Sequence, residues 1–156
     1  TASGLSRMTL HRHGLGRDEI FALLGAAYEA DFRASLEGAC RESGRADDRL
    51  RRGLEAVCAA TERHLPFLAG LDDEADTRLF HDRGVSRRGY VSPIEGVIAD
   101  GIADGTFADA DVQRTAVVLV NAVDRTYRHL RGAHGWSADD AAGTIELLVR
   151  GLLATA

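Results

Sequence analysis

The sequence predicts an all-α protein, and three observations carry that prediction. Apolar residues recur at steps of three and four along several long stretches, instead of alternating at two. Breaks rich in Gly, Ser and Asp separate those stretches, at Ser43-Gly44, Asp104-Gly105 and Gly132–Gly135. Capping patterns open two of them, Ser92-Pro93-Ile94-Glu95 and Ser137-x-x-Asp140. A chain of 156 residues, 45% apolar and 28% charged, is long enough for one domain with a real core, or one domain plus part of another. No apolar run approaches the roughly 18 residues of a membrane span, so no membrane partner is expected. Cys40 and Cys58 are the only cysteines and lack metal or redox spacing, which fits buried thiols in a reducing cytoplasm.

The amino end differs in charge from the rest. Residues 1–17 hold Arg7, Arg12 and Arg17 with no carboxylate, whereas residues 18–156 hold 16 arginines against all 24 acids. Local positive charge on an acidic protein is what phosphate binding requires. Gly4 permits a sharp turn, Ser6 supplies a helix-capping oxygen, and a short helix over 6–13 leads through Gly14 and Gly16 into a long amphipathic helix. Such a pattern is how a helix-turn-helix ends.

The string Gly4-Leu5-Ser6-x-x-Thr9-Leu10-x-x-His13, followed by Arg17-Asp18-Glu19-Ile20, resembles the end of the helix-turn-helix of TetR-family transcriptional regulators. It departs from the family in carrying His11 for a common Tyr, Gly14 for a Phe and Arg17 for a Lys. The resemblance implies that the short helix enters the major groove, with Arg7, Met8 and Thr9 toward base edges, and that Ser6, His11, His13 and Arg17 complete the DNA-binding set. It places Thr1 in the last turn of the unit's second helix. Residues 1–20 are then the C-terminal part of a helix-turn-helix DNA-binding domain, and residues 21–156 a helical ligand-binding and dimerisation domain.

In the body, Ile20, Phe21, Leu24, Tyr28, Phe32, Leu36 and Cys40 line one face of a helix from Arg17 to about Arg41. Asp18 and Glu19 fall in its first turn, where the helix dipole favours them. Leu50, Leu54, Val57, Cys58, Thr61 and Leu65 mark a second helix that Pro66 should end. Residues 72–81 fit a short helix, and 82–91, with Gly84 and Gly89, a loop. The Ser92 box then starts a helix with Ile94, Val97, Ile98 and Ile102 on its buried stripe. Residues 109–131 form a helix that is apolar nearly all round at Ala116–Val123, which calls for cover beyond its own chain. The β-branched run at 117–120 also fits a strand, but it continues to Arg131 without a turn. A last helix from Ser137 carries Ile145, Leu148, Val149, Leu152 and Leu153. By the resemblance these last two helices form a homodimer interface, with Val117, Val120, Ile145, Leu148, Val149 and Leu152 as its candidates.

Catalytic and metal groupings fail on spacing. His64, His81, His129 and His134 have no acid at i+3 or i+4 and no His at i+4, and no phosphate-loop, dinucleotide or nucleophile-elbow motif occurs. No enzyme, metal or cofactor is expected. Asn121 interrupts the apolar helix and admits three readings: a polar pin at the dimer seam, a ligand-orienting amide, or a satisfied core amide. The family binds small-molecule effectors among its body helices, and by resemblance Phe32, His64, Phe67, Tyr90, Asn121, Arg125 and Tyr127 are the pocket candidates. The sequence therefore points to a ligand-responsive regulator, a repressor by resemblance, that binds palindromic double-stranded DNA as a homodimer. The alternative is a helical small-molecule binding or carrier protein without DNA-binding activity.

Overall fold

The computed structural model describes residues 16–71 and 87–151, and every regular element among them is helical. The elements are α1 (Arg17–Arg41), α2 (Ala46–Leu68), α3 (Arg87–Ala103), α4 (Val112–Gly132), α5 (Ala138–Ala142) and α6 (Thr144–Arg150). The expected short helix at 72–81 and the first half of the expected loop, 82–86, lie outside the described residues.

Local chemistry explains most of the ends. The Gly16 amide donates to Glu19 Oε2 at 2.8 Å, so an acidic first turn satisfies a free N–H of α1. Asp111 caps α4 by accepting from the Arg114 amide at 2.9 Å, and Ser137 caps α5 by accepting from the Asp140 amide at 3.1 Å. Gly44, Gly105 and Gly135 have φ of 136°, 79° and 64°, values that favour glycine, and each lies in a connection between helices.

Two boundaries differ from expectation. Pro66 lies inside α2, two residues before its end, and Pro93 lies inside α3, which starts at Arg87 and takes in part of the expected loop. A proline inside a helix removes its own N–H from the ladder and crowds the carbonyl four residues earlier, a local cost that the burial of Leu68 on one helix and of Val91 and Ile94 on the other opposes. The last helix is also two pieces, α5 and α6, that meet at Gly143.

Helix α2 packs against each of the other five described helices, and the core forms around it. Tyr28, Phe32, Leu36 and Cys40 of α1 meet Leu50, Leu54, Val57 and Cys58 of α2, with Ile94, Val97 and Ile98 of α3 and Ala116, Val120 and Val123 of α4 closing the interior. The expected α1 face is fully buried from Tyr28 onward; Ile20 and Phe21 are half-buried, Leu24 is 41% exposed, and Leu23, off that face, is 61% exposed. Glycine sets two close approaches. A Cβ on Gly53 of α2 would fall 2.8 Å from both Cys40 Sγ and Ile94 Cδ1, and one on Gly101 of α3 would fall 2.2 Å from the Phe107 ring.

Candidate functional site

The polar centre of the interior is Asp124, a carboxylate on the buried stripe of α4 that is only 8% exposed. Its Oδ1 accepts the Thr61 hydroxyl of α2 at 2.8 Å and the Tyr28 hydroxyl of α1 at 3.2 Å. Its Oδ2 faces the Arg128 guanidinium, one turn along α4, at 3.0 Å. Three helices therefore meet on one charge, and the charge has its counter-ion and hydrogen bonds. Burial and then the Asp124 carboxylate push the Tyr28 phenol well above its ordinary pKa. The same two causes, in the same order, push the Cys58 thiol up to about 12, which leaves it an inert apolar group at neutral pH.

An aromatic wall stands beside this centre. Tyr28 packs edge-on against Phe32 at 5.7 Å and against His64 at 5.4 Å, and Phe32 packs against Tyr90 of α3 at 4.8 Å. His64 Nε2 lies 3.1 Å from Asp31 Oδ2, and Arg63 grips both oxygens of the same Asp31. The Arg63 hydrogen bonds hold the Asp31 carboxyl below its usual range.

Next to the centre, between the C-terminal halves of α2 and α4, an open cleft of about 410 Å³ reaches the surface. Leu65, Leu68, Ala69 and Leu71 form one side, and Arg125, Arg128, His129 and the Gly132-Ala133 end of α4 form the other. Arg128 belongs to both places, lining the cleft and pairing with Asp124.

The pocket candidates are divided among several places. Phe32, His64 and Tyr90 join the aromatic wall, Arg125 lines the cleft, and Phe67 packs against Phe21 at 5.8 Å near the start of α1. Tyr127 is buried on another side of α4, where its hydroxyl donates to Glu62 at 2.9 Å beside the Arg131 to Glu62 ion pair. Asn121 is exposed, its Nδ2 donating to the Val117 carbonyl at 2.8 Å, so it is not a satisfied core amide.

Among the interface candidates, Val120, Ile145 and Val149 are buried at 5%, 2% and 0% within their own chain, and Val117 is half-buried. Apolar stripes on α4 and α6 pack inward within the chain, and among their described side chains the large apolar ones left exposed are Val118, 58%, and Leu147, 74%. The side chain of Leu148 and all of Leu152 lie outside the described residues. So do Ser6, Arg7, Met8, Thr9, His11 and His13 and the side chain of Arg17, although Arg17 opens α1.

The sequence reading missed Asp124 and Arg128. The available signal was an acid and a base one turn apart within the apolar stripe of α4, between Val123 and Tyr127. It also missed the pairing of His129 Nε2 with His134 Nε2 at 3.0 Å, because the two residues are five apart and meet only where α4 ends. Among the described residues no three His, Cys, Asp or Glu side chains converge on a metal position, and no helix is long and apolar enough to cross a membrane.

Neither family models nor curated proteins give a match to this sequence. Solved structures do. The TetR family transcriptional regulator PfmR from Thermus thermophilus is similar at a TM-score of 0.71 and 21% identity, over 97% of this chain and 85% of that one. A transcriptional regulator of the TetR/AcrR family from Thermobifida fusca is similar at 0.66 and 22% identity, over 92% and 84%. A protein with unknown function from a Rhodococcus species is similar at 0.64 and 18% identity, over 97% and 80%. The chain has the all-α fold of TetR-family regulators.

Proposed function

We propose that this chain, built on the fold of the TetR-family regulators, is a homodimeric DNA-binding transcriptional regulator, a repressor released when a small-molecule effector binds its helical body. The observation that carries the reading is the Asp124 centre. Helix α1 starts directly after the basic stretch that resembles a DNA-reading helix, and Tyr28 ties α1 to the carboxylate that Arg128 holds at the cleft. Occupancy of the cleft and the set of α1 then share one buried group, a chain of contacts through which the two would be coupled. The uncovered Leu23 and Leu24 on the first half of α1 supply apolar surface where the reading head would pack.

The basic stretch supplies phosphate contacts, with Arg7, Met8 and Thr9 as base readers and His11, His13 and Arg17 as backbone contacts. Dimers pair α4 and the last helix with their copies, and a two-fold dimer reads two half-sites about one DNA turn apart or a multiple of it. Gel retardation with a palindromic duplex tests the reading. Affinity should fall steeply as salt rises, and Arg17→Ala should weaken binding to all sequences alike while lowering the salt slope by about one. Binding that ignores salt, or tight small-molecule binding with no retardation of any duplex, overturns it in favour of a carrier.

A further inference from the structure

We infer that His129 and His134 form a two-imidazole clasp for a divalent transition-metal ion, copper(II) above all, where α4 ends. Five residues apart, the two would lie on different sides of a continuous helix; they meet because the chain turns back over Gly132–Gly135, with Gly135 at a φ of 64°. That turn is tied down without help from either ring. The Ala133 amide donates to the His129 carbonyl at 2.8 Å, and the Trp136 amide to the Leu130 carbonyl at 3.1 Å. The Arg131 guanidinium donates to the Trp136 carbonyl and is itself held by Glu62. Both histidines are exposed, so a cation reaches them without the desolvation cost of a buried charge.

The geometry of the pair is that of two ligands on one ion. The Nε2 atoms are 3.0 Å apart, and the rings stand at 79° with centroids 4.7 Å apart. Nitrogens pointing straight at each other would set the centroids farther apart, by a ring radius on each side; at 4.7 Å the rings are turned off the line that joins the nitrogens, as two bonds to one shared ion require. Metal–imidazole bonds of about 2.1 Å meeting at a right angle put the nitrogens about 3.0 Å apart, whereas a tetrahedral angle puts them about 3.4 Å apart. The separation therefore suits the tetragonal arrangement of copper(II) and nickel(II) better than the tetrahedral one of zinc, and copper leads the order of divalent affinities. The last carbonyls of a helix carry partial negative charge, which adds to the attraction for a cation at this end of α4. Without an ion, one Nε2–H donates to the other Nε2. The ion replaces that hydrogen bond, and the donor ring shifts its proton to Nδ1. Among the described residues no third His, Cys, Asp or Glu joins the pair, and an ion held by two imidazoles stays exchangeable, unlike one in a closed four-ligand site.

Trp136, the only tryptophan of the chain and two residues from His134, is a local reporter, because copper(II) quenches a nearby indole. Titration of the full chain with copper(II) chloride in a non-chelating buffer should quench Trp136 fluorescence saturably and be reversed by EDTA, with nickel(II) needing at least about tenfold more metal. His129→Gln and His134→Gln should each raise the half-quenching copper concentration at least about tenfold. Both side chains are on the surface and the turn keeps its own hydrogen bonds, so far-UV circular dichroism of the variants should match that of the parent. The electron paramagnetic resonance spectrum of copper at this site should show coupling to two imidazole nitrogens, and to one in either variant. Copper taken up elsewhere, at His11 or His13 for example, leaves quenching unchanged in the variants; that result, or no saturable quenching in the parent, overturns the inference. None of the residues assigned to DNA takes part, so the clasp stands or falls independently of the regulator reading.

Discussion

Asp124 accepts a hydroxyl from each of two neighbouring helices and a guanidinium from its own, so deleting its carboxylate takes this ion pair from an arginine whose side chain is only 15% exposed. Asp124→Ala should therefore cost about 3–5 kcal/mol in urea denaturation, the range for breaking one side of a buried ion pair. Carboxylates nearer the surface act through pH instead. Hydrogen bonds from Arg131, and more weakly from Tyr127, lower the Glu62 pKa, and those from Arg63 lower the Asp31 pKa. Each group binds its proton more weakly folded than unfolded, so its contribution is complete above the unfolded value of about 4 and fades as pH falls through the lowered one. Melting temperature should accordingly drop below about pH 4, and Glu62→Gln should flatten that acid limb without changing its direction. Position was legible in the sequence at this scale, but partnership was not. Spacing put Tyr28, Phe32 and Thr61 on buried faces, yet nothing in spacing said that Tyr28 and Thr61, 33 residues apart, would share one oxygen of a third residue.

Helices pack closely here where a side chain is missing. The Phe107 amide donates to the Gly101 carbonyl at 2.9 Å, and the ring of Phe107 fills the place a Cβ on Gly101 would take. Gly101→Ala should lose about 1–3 kcal/mol by overpacking, because an aromatic ring cannot shift by a few tenths of an ångström to make room. Gly96→Ala, five residues earlier on α3 with nothing within 4 Å of the added methyl, should gain about 0.5–1 kcal/mol. Chemical denaturation of the pair reads both signs in one host. Element limits followed local chemistry wherever a cap or a positive-φ glycine set them, as at Gly16, Asp111 and Ser137. Pro66 and Pro93 misled because the cost of a proline is local and fixed, while the apolar contacts that outweigh it come from other helices and leave no mark in the neighbouring sequence.

For the whole molecule, the fold class and the order of the long helices were readable from period and punctuation, since an amphipathic helix encodes its own buried side. Which apolar side chains of the last helices turn inward was not: Val120 and Val149 are buried within their own chain, and Val118 and Leu147 project outward. Val118→Glu, placing a charge where the proposed dimer closes, should weaken self-association by at least about tenfold in sedimentation equilibrium and lower DNA affinity with it. An unchanged dimer would relocate the seam. The arrangement of helices around α2 has a different consequence. With every other described helix resting on that one rod, loosening α2 takes a packing surface from all five at once, whereas a short neighbour such as α5 can open without disturbing the rest.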